Sequence, residues 1–485
     1  MKLIGRESEQ KTLESLLTSD KPEFLAIYGR RRIGKTFLIR EYFKNKSAVF
    51  FNSTGAKNGS LLEQIEHFTK EISSVFYNDI KLTPGKNWDE AFEMLTKAIE
   101  ALSKRKKVVL FLDELPWMAT KNSKLLQTLD YYWNQRWSRN PNIKLIICGS
   151  SATWIIDKII NNRGGLHNRL TKQIHLKPFR LNEVKAFLKH RGIKLTNHQI
   201  CKIYMVMGGV PHYLDHLEKS LSVTQNIDRL AFADGGLLVQ EFDNLFSSLF
   251  TMHELCMQII MIIADHGQGI SQEEIFKKIG SKIKGYAGLQ KLKELQSTGF
   301  IMKYTPYGSA KHGMYYKVID EYTLFYLKWI NPLKANIAAE IIAPNYFESQ
   351  QNTPSWYAWA GLAFEAVCYK HISKIRNFLS LQPSAIAYPW RFKTKEPHQD
   401  GAQIDLLFDR ADDAITLCEI KFTNQAFIID KAYAKDLERK IQVFKDITGT
   451  KKQIFLSMIS AAGIGKSKYS DELVDQVVVL EDLFA

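Results

Sequence analysis

Eight residues near the N-terminus, 29–36, constrain the fold of this chain more than any other stretch. They read Gly-Arg-Arg-Arg-Ile-Gly-Lys-Thr and fit the pattern G-x-x-x-x-G-K-[ST] of a phosphate-binding loop. The apolar run 24–28 before the loop is a predicted buried strand, and residues 37–43 after it are a predicted helix. A strand that turns through glycines into a helix directs several backbone N–H groups toward one point, where a phosphate can bind.

Each position of this loop has an expected role in nucleotide binding. The two glycines let the backbone wrap closely around a phosphate, the lysine reaches the β- and γ-phosphates, and the threonine hydroxyl binds Mg²⁺. The three arginines add positive potential beside the phosphates. The predicted loop residues are Gly29, Arg30, Arg31, Arg32, Ile33, Gly34, Lys35 and Thr36.

A second largely apolar stretch, 107–114, is a predicted strand that ends in two acidic residues. A strand with a near-continuous apolar sequence belongs in a parallel sheet that is buried on both faces. Ligands of open α/β sheets bind beyond the carboxyl ends of the strands. We therefore predict that Asp113 holds Mg²⁺ together with Thr36. Glu114 is the predicted general base that polarises the attacking water.

Polar residues beyond the next predicted strand, 144–149, are further candidates for this site. We predict that Ser150, or alternatively Ser151, senses the γ-phosphate or orients water at the strand tip. Arg163 and Arg169, in the polar segment that follows, are candidates for an arginine finger, in cis or in trans, and a solvated loop arginine is an equal alternative for each.

Apolar strand-like runs alternate with helical stretches over residues 1–177, which predicts a parallel sheet covered by helices. Residues 178–248 are predicted to be all-helical. The predicted strands are 24–28, 48–52, 108–113, 144–149 and 173–176.

Residues 249–330 show the order of a winged helix-turn-helix: three helices and then a β-hairpin. Ser271 is the expected N-cap of the second helix, and Glu274 completes a capping box. A basic surface on the second and third helices suits contact with a nucleic-acid backbone, although a protein-contact role is an equal alternative. The residues concerned are Lys277, Lys278, Lys282, Lys284, Lys291, Lys293 and Tyr286.

The length and charge of the chain indicate the number of domains and the kind of partner. The chain has 485 residues, with 66 Lys and Arg against 51 Asp and Glu. The length indicates several domains, and the basic excess suggests a polyanionic partner, first of all DNA or another nucleic acid. No apolar run reaches the length of a membrane span and no signal peptide is recognisable, so we expect a cytoplasmic protein without membrane contact. Five scattered cysteines are expected to be reduced and buried.

Two short segments carry a family resemblance. Ile4-Gly5-Arg6-Glu7, followed by a helix, resembles the entry segment of AAA+-like ATPases of the signal-transduction (STAND) type, which lies near the adenine. Gly208-Gly209-Val210-Pro211 resembles the G-x-P segment of the helical lid in the same group. With the phosphate loop, they resemble the archaeal-type ATPase family over residues 1 to about 245. The resemblance implies ATP as the nucleotide and adds Gly5, Arg6 and Pro211 to the expected nucleotide contacts.

The C-terminal part contains a predicted hairpin, 403–408 and 415–421, with acidic residues on both strands. Because side chains alternate along a strand, Glu419 and Lys421 share a face that Asp405 can meet. Asp405, Glu419 and the carbonyl of Ile420 are predicted to hold Mg²⁺, and Lys421 is predicted to position or activate water.

This D-x(n)-E-x-K pattern resembles the PD-(D/E)XK nuclease superfamily, with Ile404 in place of the usual proline. Upstream, the segment 360–368 resembles the G-x-x-F-E-x-x-C helix of the restriction-endonuclease-like domain that is often fused to archaeal-type ATPases. By this resemblance Glu365 is a helix carboxylate turned toward the metal. Tyr433 or Lys435 is the candidate for a further polar residue on a later helix.

The sequence thus predicts a multidomain α/β protein in which an ATP-driven switch is joined to a nuclease-like domain that needs Mg²⁺. The alternative is a STAND-type regulatory or signalling ATPase whose C-terminal domain binds without cleaving. A homo-oligomer or a protein partner is compatible with either. The predicted domains are a P-loop ATPase core (1–177), a helical lid (178–248), a winged helix (249–330), a linker (331–355) and a PD-(D/E)XK nuclease-like domain (356–485).

Overall fold

The structure, a computed structural model, divides the chain into two compact units, Met1–Pro178 and Phe179–Ala485. The residues that it describes are 3–102, 106–161, 166, 168–280, 285–308, 313–392 and 401–485.

The first unit is built around a parallel sheet, as the alternation of apolar runs predicts. In the described part of the chain the sheet has five strands in the order β2-β3-β4-β1-β5, all paired in parallel. The observed bounds lie within two residues of those predicted from the sequence. The strands are β1 (Glu23–Tyr28), β2 (Val49–Thr54), β3 (Val108–Asp113), β4 (Ile143–Gly149) and β5 (Lys172–His175).

Helices cover both faces of this sheet. On β3, Val109 and Phe111 face the helices α1 and α2, whereas Leu110 and Leu112 face α3, α4 and α6. Both faces are therefore buried, which explains the continuous apolar sequence of the central strands. The helices are α1 (Glu7–Thr18), α2 (Lys35–Phe43), α3 (Leu61–Phe76), α4 (Trp88–Glu100), α5 (Leu115–Met118), α6 (Leu125–Gln135) and α7 (Ala152–Ile155).

The second unit opens with a helical segment, as predicted for residues 178–248. A tight contact fixes its middle: a Cβ at Gly209 would lie 1.8 Å from the carbonyl oxygen of Phe179, so only glycine fits there. The helices are α8 (Leu181–His190), α9 (Asn197–Met207), α10 (Pro211–Leu214), α11 (Val223–Ala231) and α12 (Glu241–Leu249).

Next comes a group of three helices with a small antiparallel sheet of order β6-β8-β7. Ser271 and Glu274 form the predicted capping box. The two-residue strand β6 was not predicted, because it is too short to show a periodic pattern. The elements are α13 (His253–Ala264), β6 (Ile270–Ser271), α14 (Gln272–Ile279), α15 (Tyr286–Ser297), β7 (Ile301–Tyr304) and β8 (Tyr315–Val318).

The segment 331–355, predicted as a linker, is helical and packed. Ile337 and Phe347 are buried, and the backbone N–H of Phe347 donates to Asp228 at 2.7 Å. This stretch is therefore part of the second unit's core, not a loose tether. Its helices, after α16 (Glu321–Phe325), are α17 (Lys334–Ala338) and α18 (Tyr346–Gln350).

The C-terminal part has a mixed sheet of order β13-β12-β11-β10-β9, in which β9, β10 and β11 are antiparallel and β11, β12 and β13 parallel. The predicted hairpin is β10 and β11. The elements are α19 (Pro354–Lys370), α20 (Ile372–Phe378), β9 (Ile386–Phe392), β10 (Ala402–Asp409), β11 (Ala414–Lys421), α21 (Lys431–Thr448), β12 (Gln453–Ser460), α22 (Lys468–Leu473), β13 (Gln476–Val479) and α23 (Leu480–Phe484).

Two other expectations concern the whole chain. All five cysteines are free and buried, as predicted. Among the described residues, no single helix is long and apolar enough to cross a membrane; α12 and α13 pass that test only as a pair, across a 120° bend.

Candidate nucleotide and metal sites

The loop between β1 and α2 has the backbone that its glycines permit. Gly29 has φ 145° and Gly34 has φ 87°, both in the region that favours glycine. A Cβ at Gly29 would also lie 2.3 Å from the carbonyl oxygen of Leu176. The tight path of this loop into α2 therefore depends on glycine at both positions.

Lys35 lies inside the loop with its side chain folded back. Its Nζ donates to the carbonyl oxygens of Gly29 and Arg30, both at 2.8 Å, and the residue is 6% exposed. The ammonium group is thus already placed among the loop's backbone groups. A phosphate oxygen in the loop would compete with these carbonyls for the same protons.

Thr36 and Asp113 meet although 77 residues separate them in sequence. The Thr36 hydroxyl donates to Asp113 Oδ2 at 2.8 Å, and Asp113 is 2% exposed. A hydroxyl and a carboxylate side by side are hard oxygen donors, which Mg²⁺ prefers. These two residues therefore fit the predicted cation.

Glu114 has a partner that the sequence did not indicate. Its Oε2 accepts hydrogen bonds from the Ser150 backbone N–H at 3.1 Å and from the Ser150 hydroxyl at 2.9 Å. Glu114 itself has φ 47°, which bends the chain directly after β3. The alternative candidate, Ser151, caps α7 by accepting from the Trp154 N–H. The structure therefore joins Ser150, and not Ser151, to the predicted base.

The arginines near the loop have several contacts. Arg6 is buried and donates to the carbonyl oxygens of Ile33 at 3.2 Å and Lys177 at 2.6 Å. It thereby ties the phosphate loop to the end of the first unit. The Arg31 guanidinium lies 5.7 Å from the centre of the Trp117 ring.

For the other residues that the sequence assigned to the nucleotide site, the structure gives little more than a position in the chain. Gly5 precedes Arg6 and has φ 64°. Arg169 is exposed, and Arg163 lies outside the described residues. Pro211 begins α10 in the second unit, so its contact with a nucleotide stays a prediction.

The hairpin of the C-terminal part brings Glu419 beside two lysines. Glu419 Oε1 lies 3.0 Å from Lys421 Nζ and 2.9 Å from Lys440 Nζ, and it accepts from the Tyr433 hydroxyl at 2.7 Å. Burial opposes the charged form, but the two lysines and the tyrosine outweigh it and lower the pKa of Glu419. The sequence pointed to Lys421 and, weakly, Tyr433. Lys440 was missed, because only the packing of α21 on the sheet brings it there.

Asp405 lies next to this group on β10. Its carboxylate accepts from the backbone N–H of Ile420 and from the Gln403 amide, both at 3.0 Å. Burial and the charges of Glu419 and Glu365 raise the pKa of Asp405 to about 7. A cation beside this carboxyl would favour its ionised form.

Glu365 is held by a lysine from another part of the second unit. Lys317 Nζ lies 2.5 Å from Glu365 Oε1, with the two side chains 5% and 7% exposed. This pairing differs from the predicted position of Glu365 at a metal. In the described parts of the chain, no three His, Cys, Asp or Glu residues are grouped so that they could hold a metal ion. Cation binding by Asp405 and Glu419 therefore stays a prediction.

Comparison with known proteins places the first unit in a family. Residues 3–217 match the family described as "ATPase domain predominantly from Archaea". These residues form an archaeal-type ATPase domain. The match covers the first unit except its first two residues and extends into the helical segment of the second unit.

Two curated relatives and one solved structure are similar to this chain, and they cover different shares of it. Uncharacterized protein MJECL04 of Methanocaldococcus jannaschii is 25% identical over 449 residues, which are 90% of this chain and 91% of that protein. Uncharacterized ATP-binding protein MJ0423 of the same organism is 40% identical over 43 residues, 9% of this chain and 73% of that protein. The solved structure of the Walker-type ATPase PABY2304 of Pyrococcus abyssi is also similar, with 19% sequence identity and a TM-score of 0.44. The similarity covers 66% of this chain and 95% of that protein's chain.

Proposed function

We propose that this archaeal-type ATPase hydrolyses ATP with Mg²⁺ in its first unit and serves as a switch for a nuclease-like site in its second unit. The observation that carries the ATP part is the 2.8 Å hydrogen bond between Thr36 and Asp113. This bond joins the phosphate loop to the acidic end of β3. Phosphoryl transfer requires the loop, which binds the phosphates, and the acidic residue, which binds the metal ion.

Four residues of the first unit have distinct roles in this proposal. Lys35 would bind the β- and γ-phosphates, and Thr36 and Asp113 would hold Mg²⁺, which neutralises charge that develops on the phosphates. Glu114 would accept the proton of the attacking water. Its carboxylate is oriented by two hydrogen bonds from Ser150.

The proposal for the second unit rests on Asp405, Glu419 and Lys421. Two carboxylates on neighbouring strands, Glu419 buried and Asp405 half-buried, would hold a divalent cation that stabilises a leaving phosphate oxygen. Lys421, 3.0 Å from Glu419, would position or activate water. The formal net charge of +15 favours a polyanionic substrate, and we propose DNA as the first choice.

The middle helices and hairpin are proposed to form a winged helix that contacts nucleic acid. Lys277 and Lys278 lie exposed on α14 and Tyr286 is 75% exposed at the start of α15, which suits contact with a phosphate backbone. Lys291 is instead paired with Glu294 at 2.8 Å. Lys282 and Lys284 lie outside the described residues.

A second candidate function is a nucleotide-gated regulator whose C-terminal domain binds without cleaving. One observation favours it: Glu419 is already engaged by Lys421, Lys440 and Tyr433. A divalent cation would have to replace at least part of this network. A site that keeps its lysines in place would bind a phosphate group without hydrolysing it.

Cleavage of DNA by wild type and by Asp405→Ala decides between the two functions. With Mg²⁺ and ATP present, we expect wild type to cut plasmid or linear DNA and Asp405→Ala to lose at least about 100-fold in rate, as for loss of a residue that holds a catalytic metal. Asp412→Ala is the matched control, because Asp412 lies exposed in the turn of the same hairpin and pairs with Arg410. Equal cleavage by wild type and Asp405→Ala would contradict the nuclease proposal.

A further inference from the structure

The buried ion pair between Lys317 and Glu365 joins two parts of the second unit that the sequence separates. Lys317 belongs to β8 of the small three-stranded sheet, and Glu365 to α19 of the C-terminal part. Their charged atoms are 2.5 Å apart, and both side chains are almost fully enclosed. Two ions are removed from water in this way only if each compensates the other.

The same helix face reaches Asp405. Tyr369 follows Glu365 by one helical turn, and its hydroxyl donates to the backbone carbonyl of Asp405. Lys317 Nζ also lies 5.7 Å from the centre of the Tyr369 ring. Lys317 therefore contacts both Glu365 and Tyr369, two side chains of α19 that lie close to Asp405.

The hairpin that carries Lys317 is firmly seated on the C-terminal part. Tyr307, in the connection after β7, stacks on Phe444 of α21 with ring centres 5.7 Å apart. It also lies 5.8 Å from the ring of Tyr388 on β9. These two ring contacts hold the connection of the hairpin against the C-terminal part, and the ion pair with Glu365 holds Lys317 itself.

We propose that Lys317 is a built-in cation of the C-terminal site: it neutralises Glu365 and leaves Asp405 and Glu419 as the two carboxylates that take a divalent cation. This inference rests on the proposed metal site of the second unit. Glu365 is then a structural partner and not a metal ligand. Lys317, on β8, is likewise a structural residue beside that site.

The charge pairing is tested without any metal by a thermal double-mutant cycle. Lys317→Met and Glu365→Gln should each lower the Tm by roughly 5 °C, because each leaves a buried charge without its partner. The double variant Lys317→Met/Glu365→Gln should regain at least half of the loss, since it contains neither charge. Losses that simply add in the double variant would overturn the pairing. Lys303→Met, at an exposed lysine on the neighbouring strand β7, is the matched control.

Binding of Mn²⁺, followed by electron paramagnetic resonance of the free ion, tests the second half of the inference. We expect the double variant to bind Mn²⁺ within about threefold of wild type, and Asp405→Ala to bind it at least tenfold more weakly. If the double variant loses Mn²⁺ as strongly as Asp405→Ala, Glu365 is a ligand and the inference is wrong. Unchanged binding by Asp405→Ala would contradict the proposed metal site itself, while the thermal cycle would still decide whether Lys317 neutralises Glu365.

Discussion

At the scale of single residues, the contact between Ser150 and Glu114 has the clearest consequence. Two hydrogen bonds from one serine hold the carboxylate of the predicted base, and Ser150 is 3% exposed. A base that is held in one orientation loses less freedom when it accepts a proton from water. Ser150 would therefore act on turnover through Glu114.

Removing the hydroxyl of Ser150 should slow hydrolysis more than it weakens binding. A hydrogen bond to a charged group contributes about 1.5–3 kcal/mol, so Ser150→Ala should lower kcat roughly 10- to 100-fold. The KM for ATP should change little, because the phosphate loop is untouched. Steady-state hydrolysis measures both. Ser151→Ala is the control, since it removes the cap of α7 and no contact of Glu114; an equal loss of kcat there would contradict the role of Ser150.

The sequence indicated the positions of individual residues where a motif fixes their local geometry, while their roles stay predictions. Lys35 and Thr36 follow from the loop, and Asp113 and Glu114 from the end of an apolar strand. Contacts between distant segments were not accessible: Arg6 on Ile33, Ser150 on Glu114 and Lys440 on Glu419 depend on how elements pack. Such pairs leave no periodic signal in the chain.

At the scale of elements, a buried histidine links α8 to the end of α19. His371 Nε2 accepts from the backbone N–H of Leu181, at 3.2 Å, and Nδ1 donates to the carbonyl oxygen of Val367, at 2.8 Å. Burial, together with the charges of Arg180, Lys370 and Lys374, lowers the pKa of His371 to about 4. The imidazole is therefore neutral in the folded protein, as its role as acceptor requires.

This histidine should make the stability of the second unit depend on pH. Below pH 6.5 the unfolded chain takes up a proton that the folded chain refuses until about pH 4, so stability falls as the pH decreases between these values. From pH 7.5 to 5 the loss should be about 2 kcal/mol. Urea unfolding at pH 7.5 and pH 5, followed by circular dichroism, measures it.

His371→Gln should remove that part of the pH dependence, although the variant is less stable at pH 7.5. His190→Gln, at an exposed position on α8, should keep the full dependence. An unchanged difference between pH 7.5 and pH 5 in His371→Gln would show that other groups account for the effect.

Elements with a strong pattern were predicted almost to the residue, and weak or non-local ones were not. The apolar run 108–113 predicted both ends of β3, and the capping box at Ser271 predicted where α14 begins. The segment 331–355 is polar enough to suggest a linker, yet Phe347 anchors it in the core. The parallel pairing of β11 with β12 depends on α21 crossing between them, which no local pattern shows.

At the scale of the whole molecule, the chain combines an archaeal-type ATPase domain with a second set of carboxylates and lysines on a separate sheet. The family match ends at residue 217, whereas the similarity to MJECL04 extends over 90% of the chain. The ATPase domain is thus accounted for by its family. The function that we propose for the C-terminal part rests on Asp405, Glu419 and their lysine partners.

The central claim is that Lys35, Thr36, Asp113 and Glu114 form one ATP-hydrolysing site. Binding and turnover of ATP by two variants test it most directly. Lys35→Ala should lose ATP binding, measured by equilibrium dialysis with Mg²⁺. Glu114→Gln should bind ATP as wild type does and hydrolyse it at least about 100-fold more slowly, because the general base is absent. Hydrolysis by Glu114→Gln at the wild-type rate, or unchanged ATP binding by Lys35→Ala, would contradict the account.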